Sequence, residues 1–252
     1  MDFNPERCKL KTLSYYESWL GESGCLIEGR SNQQIYTAER NITQIGYSSC
    51  MDIYIWVDSE RIVVSYGDTV KSKINDLKNL KGSVSEISES LQDLFGVKPS
   101  HTIKYFYQAV PDISGQMGIT ATTLTLDNYN DFEKFWLSRF PDNNGEWLRE
   151  YFEDMVKFNF CVGVYVDGVL ASCTDAASMP YMVEQLQEIG INTLEKFRGY
   201  GYAAIACQKA AMNILQGGRY PIWSHSCTNV ASQRIAEKIG FAKLADVLTL
   251  AL

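Results

Sequence analysis

The sequence predicts an α/β (α+β) fold in which a mixed, mostly antiparallel β-sheet is flanked by helices, preceded by a smaller α+β domain. Three observations support this prediction. Strand-like and helix-like patterns alternate along the second half, and Asp167-Gly168 joins two β-branched runs as a hairpin turn does. Pro, Asp, Ser and Gly collect at residues 110–118, which predicts a boundary between domains 1–116 and 117–252.

The composition excludes several classes of protein. Apolar residues make up 46% of the 252 residues and charged residues 21%, so neither a disordered nor a fibrous chain is expected. The net charge of −7 argues against nucleic acid or an anionic membrane as the main partner. No stretch approaches the roughly 18 apolar residues of a membrane span, and the first residues lack the order of a signal peptide. We therefore expect a cytoplasmic protein.

Cysteine and histidine usage indicates neither disulfides nor a metal. The seven cysteines are widely spaced without a C-x-x-C motif, and the chain has only two histidines. A disulfide framework or a zinc site would need cysteines that are closer together in the sequence or a larger number of histidines. We expect buried thiols and no metal cofactor.

The first half combines short strands with two polar helices. Ser83 and Glu86 have the spacing of a capping box at the start of the second helix. Nothing in this half points to catalysis. The patterns predict strands at 52–57, 61–66 and 101–107, and helices at 69–80 and 84–95.

The second half predicts the element order β-α-α-β-β-β-α-β-α-β. Its first strand alternates apolar residues with Thr, and Asp127 or Asn128 could cap the helix that follows. The hairpin around Asp167-Gly168 supplies the next two strands. The elements outside the hairpin are a strand at 119–126, helices at 129–140 and 146–157, a strand at 187–194, a helix at 202–215, a strand at 221–227, a helix at 231–239 and a strand at 241–250.

The segment 196–203, KFRGYGYA, joins a predicted strand to a predicted helix through two glycines. Glycine lets the backbone approach a ligand, and the first N–H groups of a helix have no intrahelical acceptor. This arrangement suits a diphosphate. A Rossmann loop would need glycine at Ala204, and a Walker loop would need Gly-Lys-Ser/Thr, so neither pattern fits. A tight turn without a ligand is the alternative that these residues leave open.

Segment 198–203 (RGYGYA) resembles the Gln/Arg-x-x-Gly-x-Gly/Ala loop of the GNAT superfamily of acyl-CoA-dependent N-acyltransferases, with Lys196 at the Gln/Arg position. Downstream, 221–223 (PIW) and 229–241 resemble the fifth strand, the fourth helix and the closing Gly-Phe of that family. The resemblance covers about residues 117–252. Within the superfamily, this segment is most similar to the zwittermicin-A-resistance-type acetyltransferases. The resemblance implies a GNAT-like sheet.

The resemblance also implies an activity and its site. The expected function is transfer of an acetyl group from acetyl-CoA, used as cosubstrate, to the primary amine of a small molecule by direct transfer. A backbone N–H near Thr193 or Leu194 would polarise the thioester oxygen. The implied CoA-binding residues are Thr193, Leu194, Phe197, Arg198, Gly199, Tyr200, Gly201, Tyr202, Ala203, Asn229 and Ser232.

Transfer to an amine requires a proton acceptor. With a pKa of about 10.4, only about one amine in 2,500 is neutral at pH 7, a cost of about 4.6 kcal/mol. A nearby carboxylate is the usual acceptor. Glu188, where the fourth strand of the family begins, is the first candidate and Glu184 the second, and a solvated strand-end Glu is the alternative. Ala236 stands where the family often has an acidic Tyr, so Ser232 or Tyr202 could donate to the thiolate, which could also leave unaided.

Other polar residues have two interpretations each. Asn229 could cap the fourth helix of the family, contact the cofactor, or both. We favour His225 as a hydrogen-bonded structural residue rather than a base. A set of acidic residues could form a solvated face or a rim that attracts a cationic amine. This set is Asp142, Glu146, Glu150 and Asp154.

A second class of function stays open. Because Ala236 lacks the acidic hydroxyl, the domain could be a catalytically inactive acyl-CoA-binding module with a regulatory or structural role. Residues 1–116 could cover the acceptor site or mediate self-association into a homo-oligomer. A cysteine nucleophile is disfavoured, since neither Cys207 nor Cys227 has a placed His and acid.

Overall fold

One mixed sheet of ten strands runs through the molecule. The computed structural model describes residues 3–28, 31–78, 80–111, 119–142, 145–176 and 179–252. The helices are α1 Pro5–Leu20, α2 Ile74–Leu77, α3 Val84–Phe95, α4 Tyr129–Arg139, α5 Leu148–Lys157, α6 Tyr202–Gln216 and α7 Val230–Lys238. The strands are β1 Asn32–Tyr36, β2 Ile53–Val57, β3 Ile62–Tyr66, β4 Ser100–Tyr107, β5 Ala121–Thr123, β6 Val162–Val166, β7 Val169–Ala176, β8 Leu186–Thr193, β9 Tyr220–Ser226 and β10 Phe241–Leu250.

The strand order is β1-β3-β2-β10-β4-β9-β8-β7-β6-β5. Among the strands of the described residues, the pairs β1–β3 and β8–β9 are parallel and the other neighbours are antiparallel. The predicted mixed, mostly antiparallel sheet flanked by helices is therefore confirmed.

The two halves of the chain share this sheet. Strand β4 from the first half lies between β9 and β10, and β10 pairs on its other side with β2. The predicted boundary at 110–118 falls mostly in residues 112–118, outside the described residues. The division into domains 1–116 and 117–252 stays a prediction.

The second half has the predicted order of elements. Asp167 and Gly168 have φ values of 51° and 75°, the left-handed values that a two-residue type I′ hairpin requires. The strand expected at 119–126 is wrong in length, because the described strand is Ala121–Thr123, followed by one further hydrogen bond from the Leu124 N–H to Cys161 O at 2.8 Å. Thr125 N–H donates to Asn128 Oδ1 at 2.9 Å, and this local turn replaces strand pairing.

The first half contains elements that the sequence patterns missed. The Asn4 side chain caps the start of helix α1, and Gly21 follows its last residue with a φ of 87°. Strand β1 was also missed. The helix expected at 69–80 is a short 3₁₀ helix, Asp68–Lys73, followed by the single turn α2. The capping box of Ser83 and Glu86 is confirmed.

Hydrophobic cores lie on both faces of the sheet. Ile222 packs in a cluster with α1 residues, whereas the next residue, Trp223, packs in a cluster with residues of α6 and α7. Successive side chains of a strand point to opposite faces, so α1 covers one face and α6 and α7 cover the other. All seven cysteines are free. In the described part of the chain, no helix has the length and apolarity of a membrane span.

Candidate functional site

Strands β8 and β9 pair only at their beginnings and then separate. Their register joins Leu186 to Tyr220 and ends with Glu188 opposite Ile222, while β8 stays paired with β7 as far as Thr193. The gap between the two strands opens a cleft of about 500 Å³. Parallel strands that part in this way leave backbone groups free to bind a ligand.

The glycine loop lies at the end of this cleft. Gly199 and Gly201 have φ values of 85° and 82°, which residues with a Cβ rarely adopt. A Cβ on Gly199 would meet no atom within 4 Å, so the loop borders open space. Gly201 is the N-cap of α6 and supplies no side-chain hydrogen bond. The first N–H groups of α6 are thus available to an anion, as the sequence predicts.

Most of the predicted CoA-binding residues line the cleft. Leu194 and Tyr200 are not among them. The Leu194 N–H donates to Ala171 O at 2.9 Å, and the Tyr200 side chain is 60% exposed and stacks on Tyr202. The predicted residues that do line the cleft are Thr193, Phe197, Arg198, Gly199, Gly201, Tyr202, Ala203, Asn229 and Ser232.

Three cations that the sequence patterns did not indicate also line the cleft. These are Arg139 at the end of α4, and Arg234 and Lys238 on α7. They place positive charge at the cleft of a chain whose net charge is −7. No local motif marks them: Arg139 is a half-buried residue at the end of α4, Arg234 and Lys238 are exposed on α7, and the fold alone brings the three to the cleft.

The ladder between β7 and β8 determines which amides face the cleft. Leu194 N–H points to β7, and amides alternate in direction along an antiparallel strand. The N–H groups of Thr193 and Ile191 therefore point away from β7, into the gap. Of the two amides predicted to polarise a thioester, Thr193 has the suitable direction and Leu194 does not.

Glu188 and Glu184 occupy different places. Glu188 is half-buried where β8 and β9 separate, and Ser224 Oγ, which lines the cleft, donates a hydrogen bond to its Oε1. Glu184 is exposed in the turn before β8. Burial lowers the pKa of Arg219, and the negative charge of the nearby Glu184 offsets part of that lowering. The structure places Glu188 in contact with a cleft-lining residue and leaves Glu184 exposed before the start of β8.

Several residues of the first half lie close enough to Glu188 for its charge to act on their pKa values. Burial raises the pKa of Tyr15, Tyr16 and Tyr47, and the negative charge of Glu188 raises it further. Burial lowers the pKa of the half-buried Lys104, and Glu188 opposes this change. Tyrosines of α1 and of the loop before β2 thus lie within electrostatic range of the carboxylate.

A second carboxylate, which the sequence analysis missed, lies on the neighbouring strand. Asp175 on β7 is opposite Gly190 on β8, and Asn192 Nδ2 donates to its Oδ2 at 3.1 Å. Burial raises the pKa of Asp175 to about 6, although hydrogen bonds from the Ala176 N–H and Asn192 lower it. An Asp within a strand of small buried residues was the available signal.

Ser232 and Tyr202 stay candidates for the proton donor to sulfur, whereas position 236 offers no room for one. Ser232 Oγ accepts a hydrogen bond from Trp223 Nε1 at 3.0 Å, so its own proton is available toward the cleft. Tyr202 also lines the cleft. Ala236 is fully buried in the core, where a longer side chain would have no room.

The remaining predicted polar residues have structural partners or lie in solvent. Asn229 Oδ1 accepts from the Ser232 N–H at 3.1 Å and caps α7, while Asn229 also lines the cleft. His225 is buried, with Nε2 3.1 Å from Tyr105 Oη and Nδ1 2.8 Å from Ser226 O. Within the described ranges, no three metal-ligating side chains come together. The acidic set Asp142, Glu146, Glu150 and Asp154 is exposed.

The chain matches the family model described as GNAT acetyltransferase over residues 114–246. This match spans more than half of the chain, and the protein belongs to the GNAT acetyltransferase family. No curated protein matches the chain significantly.

Solved structures are similar to this chain, and one of them has the same fold over nearly its whole length. A GNAT-family acetyltransferase from Colwellia psychrerythraea is similar over 99% of this chain and 97% of its own, with 14% identity and a TM-score of 0.53. A structure from Novosphingobium aromaticivorans described as a GNAT-family acetyltransferase matches over 61% of this chain and 64% of its own, with 22% identity and a TM-score of 0.44. The YncA protein from Salmonella typhimurium, solved with acetyl-CoA, has 10% identity, a TM-score of 0.42, and coverage of 52% and 91%.

Proposed function

We propose that this protein transfers the acetyl group of acetyl-CoA directly to the primary amine of a small molecule. The observation that carries the proposal is the parting of β8 and β9 beyond Glu188, with the glycine loop and the start of α6 at the end of the gap. Membership of the GNAT acetyltransferase family supports the same reaction.

The cleft fits acetyl-CoA in shape and charge. The open space at the Gly199 Cβ position leaves room for a pyrophosphate against the first amides of α6. Arg139, Arg234 and Lys238 would attract its phosphates. We assign the predicted cleft-lining residues of the loop and of α7 to this role, together with the exposed Tyr200 ring beside the loop. Leu194 contributes by fixing the end of β8 against β7.

Thr193 and Glu188 would act on the two reactants. The N–H of Thr193 or Ile191 would donate to the thioester oxygen as negative charge develops there. Glu188 would attract the acceptor's ammonium group and accept a proton from it. We favour Glu188 over Glu184 because only Glu188 contacts a residue that lines the cleft. Ser232 would donate a hydrogen bond to the departing sulfur.

The first half of the chain would form the acceptor side of the site. Tyr15, Tyr16 and Tyr47 are close enough to Glu188 for its charge to raise their pKa values. This arrangement favours the interpretation that residues 1–116 cover the acceptor site over the interpretation that they serve self-association alone. All seven cysteines are free thiols, and this supports a location in the reducing cytoplasm.

Release of the CoA thiol on mixing with acetyl-CoA and a primary amine tests the proposal. Suitable probes are n-butylamine, 2-phenylethylamine and 1,4-diaminobutane. Glu188→Gln should slow release by about 100-fold or more while acetyl-CoA affinity is retained. Glu89→Gln, the same change at an exposed site on α3, is the matched control. Binding of acetyl-CoA without amine-dependent release would support the inactive binding module instead.

A further inference from the structure

We propose that Asp175 is a second proton acceptor of the acceptor site and acts together with Glu188. This inference rests on the proposed acetyl transfer to an amine. Three features of the described residues support it: the position of Asp175 relative to Glu188, the hydrogen bonds that hold its carboxylate, and the absence of an ion-pair partner within the described chain.

The two carboxylates lie on one face of the sheet. Asp175 is opposite Gly190, and Glu188 is two residues before Gly190 on the same strand, so all three positions share a face. Such diagonal neighbours are about 7–8 Å apart. Gly190 has no side chain between them, and a Cβ there would lie 3.1 Å from Asp175 Cβ. An amine could therefore approach both carboxylates above Gly190.

Hydrogen bonds position the Asp175 carboxylate beside the cleft. Tyr151 Oη from α5 and the Ala176 N–H donate to Oδ1, the latter at 2.7 Å. Asn192 Nδ2 donates to Oδ2 at 3.1 Å, and both Asn192 and Gly190 line the cleft. Asp175 is thus held by partners on three elements, one of which borders the substrate space.

No charge of the described protein neutralises Asp175. None of the ion pairs found in residues 3–28, 31–78, 80–111, 119–142, 145–176 and 179–252 includes it. The titratable groups on its side are Tyr151 on α5 and Glu188 on the same face of β8, neither of them cationic, and its nearest partners on β8, Gly190 and Asn192, are uncharged. Burial raises the pKa of Asp175 to about 6, near the pH at which a general base is most effective.

The reaction removes two protons from the acceptor nitrogen, so two proton acceptors can take part. The acceptor nitrogen enters as an ammonium and leaves as a secondary amide, so it loses two protons. One proton leaves before nitrogen attacks the thioester carbon, and the other leaves after the C–N bond forms. The C–S bond then breaks, and its electron pair departs on sulfur. Glu188 and Asp175 take one proton each and later return them to the thiolate and to water, so no further reactant is needed.

The test compares Asp175→Asn with Asp167→Asn, the same change at an exposed turn of the same hairpin. Thiol release is measured from pH 5 to 9 with acetyl-CoA and the amine probes named above. Asp175→Asn should lower kcat about 100-fold. The rise of kcat/KM through about pH 6, expected for the unchanged protein, should be lost, and acetyl-CoA affinity by calorimetry should be retained. Asp167→Asn should leave all three readouts unchanged.

Tyr151→Phe provides a test that does not remove the carboxylate. Loss of a hydrogen bond to the ionised form raises the pKa of an acid, so the rise in kcat/KM should move to higher pH. Activity above that rise should persist. A purely structural role for Asp175 would change stability without moving the pH profile. This variant decides the question if Asp175→Asn does not fold.

Each outcome has a distinct meaning. Parental kcat/KM and an unmoved pH profile in Asp175→Asn would overturn the role of Asp175 and leave the proposed function standing. An unmoved profile in Tyr151→Phe would also overturn the role. If the unchanged protein acetylates none of the probes, the proposed function fails and this inference fails with it.

Discussion

Replacing Gly199 by Glu should abolish acetyl-CoA binding while the chain still folds. Gly199 has a φ of 85°, and a Cβ there would meet no atom within 4 Å. A side chain at this position therefore strains the backbone without clashing with protein atoms. It extends into the space where we place the pyrophosphate.

The two costs can be estimated separately. A residue with a Cβ in the left-handed region costs about 1–2 kcal/mol of stability. A carboxylate about 4 Å from one phosphate charge costs about 4 kcal/mol at an effective dielectric constant of about 20. That energy corresponds to a roughly 1,000-fold weaker Kd.

Gly168→Glu is the matched control. Gly168 in the β6–β7 turn has a φ of 75° and equally open surroundings, but it does not line the cleft. Urea unfolding should show similar losses of stability for both variants, and calorimetric titration with acetyl-CoA should show lost binding only for Gly199→Glu. A Kd for Gly199→Glu equal to that of the unchanged protein would refute the assignment of the loop.

Three further changes test other parts of the site. Asn229→Ala removes the cap of α7 and should cost about 1 kcal/mol in urea unfolding; a weaker Kd for acetyl-CoA would show that Asn229 also contacts the ligand. Ala236→Tyr should lower stability by about 1–3 kcal/mol through overpacking, without raising kcat, because position 236 is fully buried. Gly190→Ala places a Cβ 3.1 Å from Asp175 Cβ and should lower kcat for thiol release at least about 10-fold with little change in acetyl-CoA affinity; unchanged turnover would contradict the placement of the acceptor at Gly190.

Local signals in the sequence predicted much of the second half. The Asp167-Gly168 hairpin and the order of elements are found in the structure, since turn chemistry and side-chain periodicity act over a few residues. The signals for α1 were present as Asn4 before Pro5 and Gly21 after the helix, but its apolar stripe is weak. Strand β1 is a polar edge strand without the alternation that marks a half-buried strand.

Long-range placement could not be derived from the sequence. Strand β4 lies between β9 and β10, and no local pattern specifies a partner more than 100 residues away. The sequence marks Asp175 only as an Asp within a strand of small buried residues, and the contacts with Tyr151 and Asn192 that make it a candidate come from the fold. The cations Arg139, Arg234 and Lys238 likewise become candidates for binding only because the fold places them at the cleft.

Calorimetric titration of the purified protein with acetyl-CoA tests the central claim most directly. Moderate salt suppresses nonspecific binding of the phosphates. We predict micromolar affinity at about one site per chain, a value within the range common for enzyme substrates. Absence of saturable binding would contradict the account, because the glycine loop and the β8–β9 cleft would then be only a turn and a surface groove.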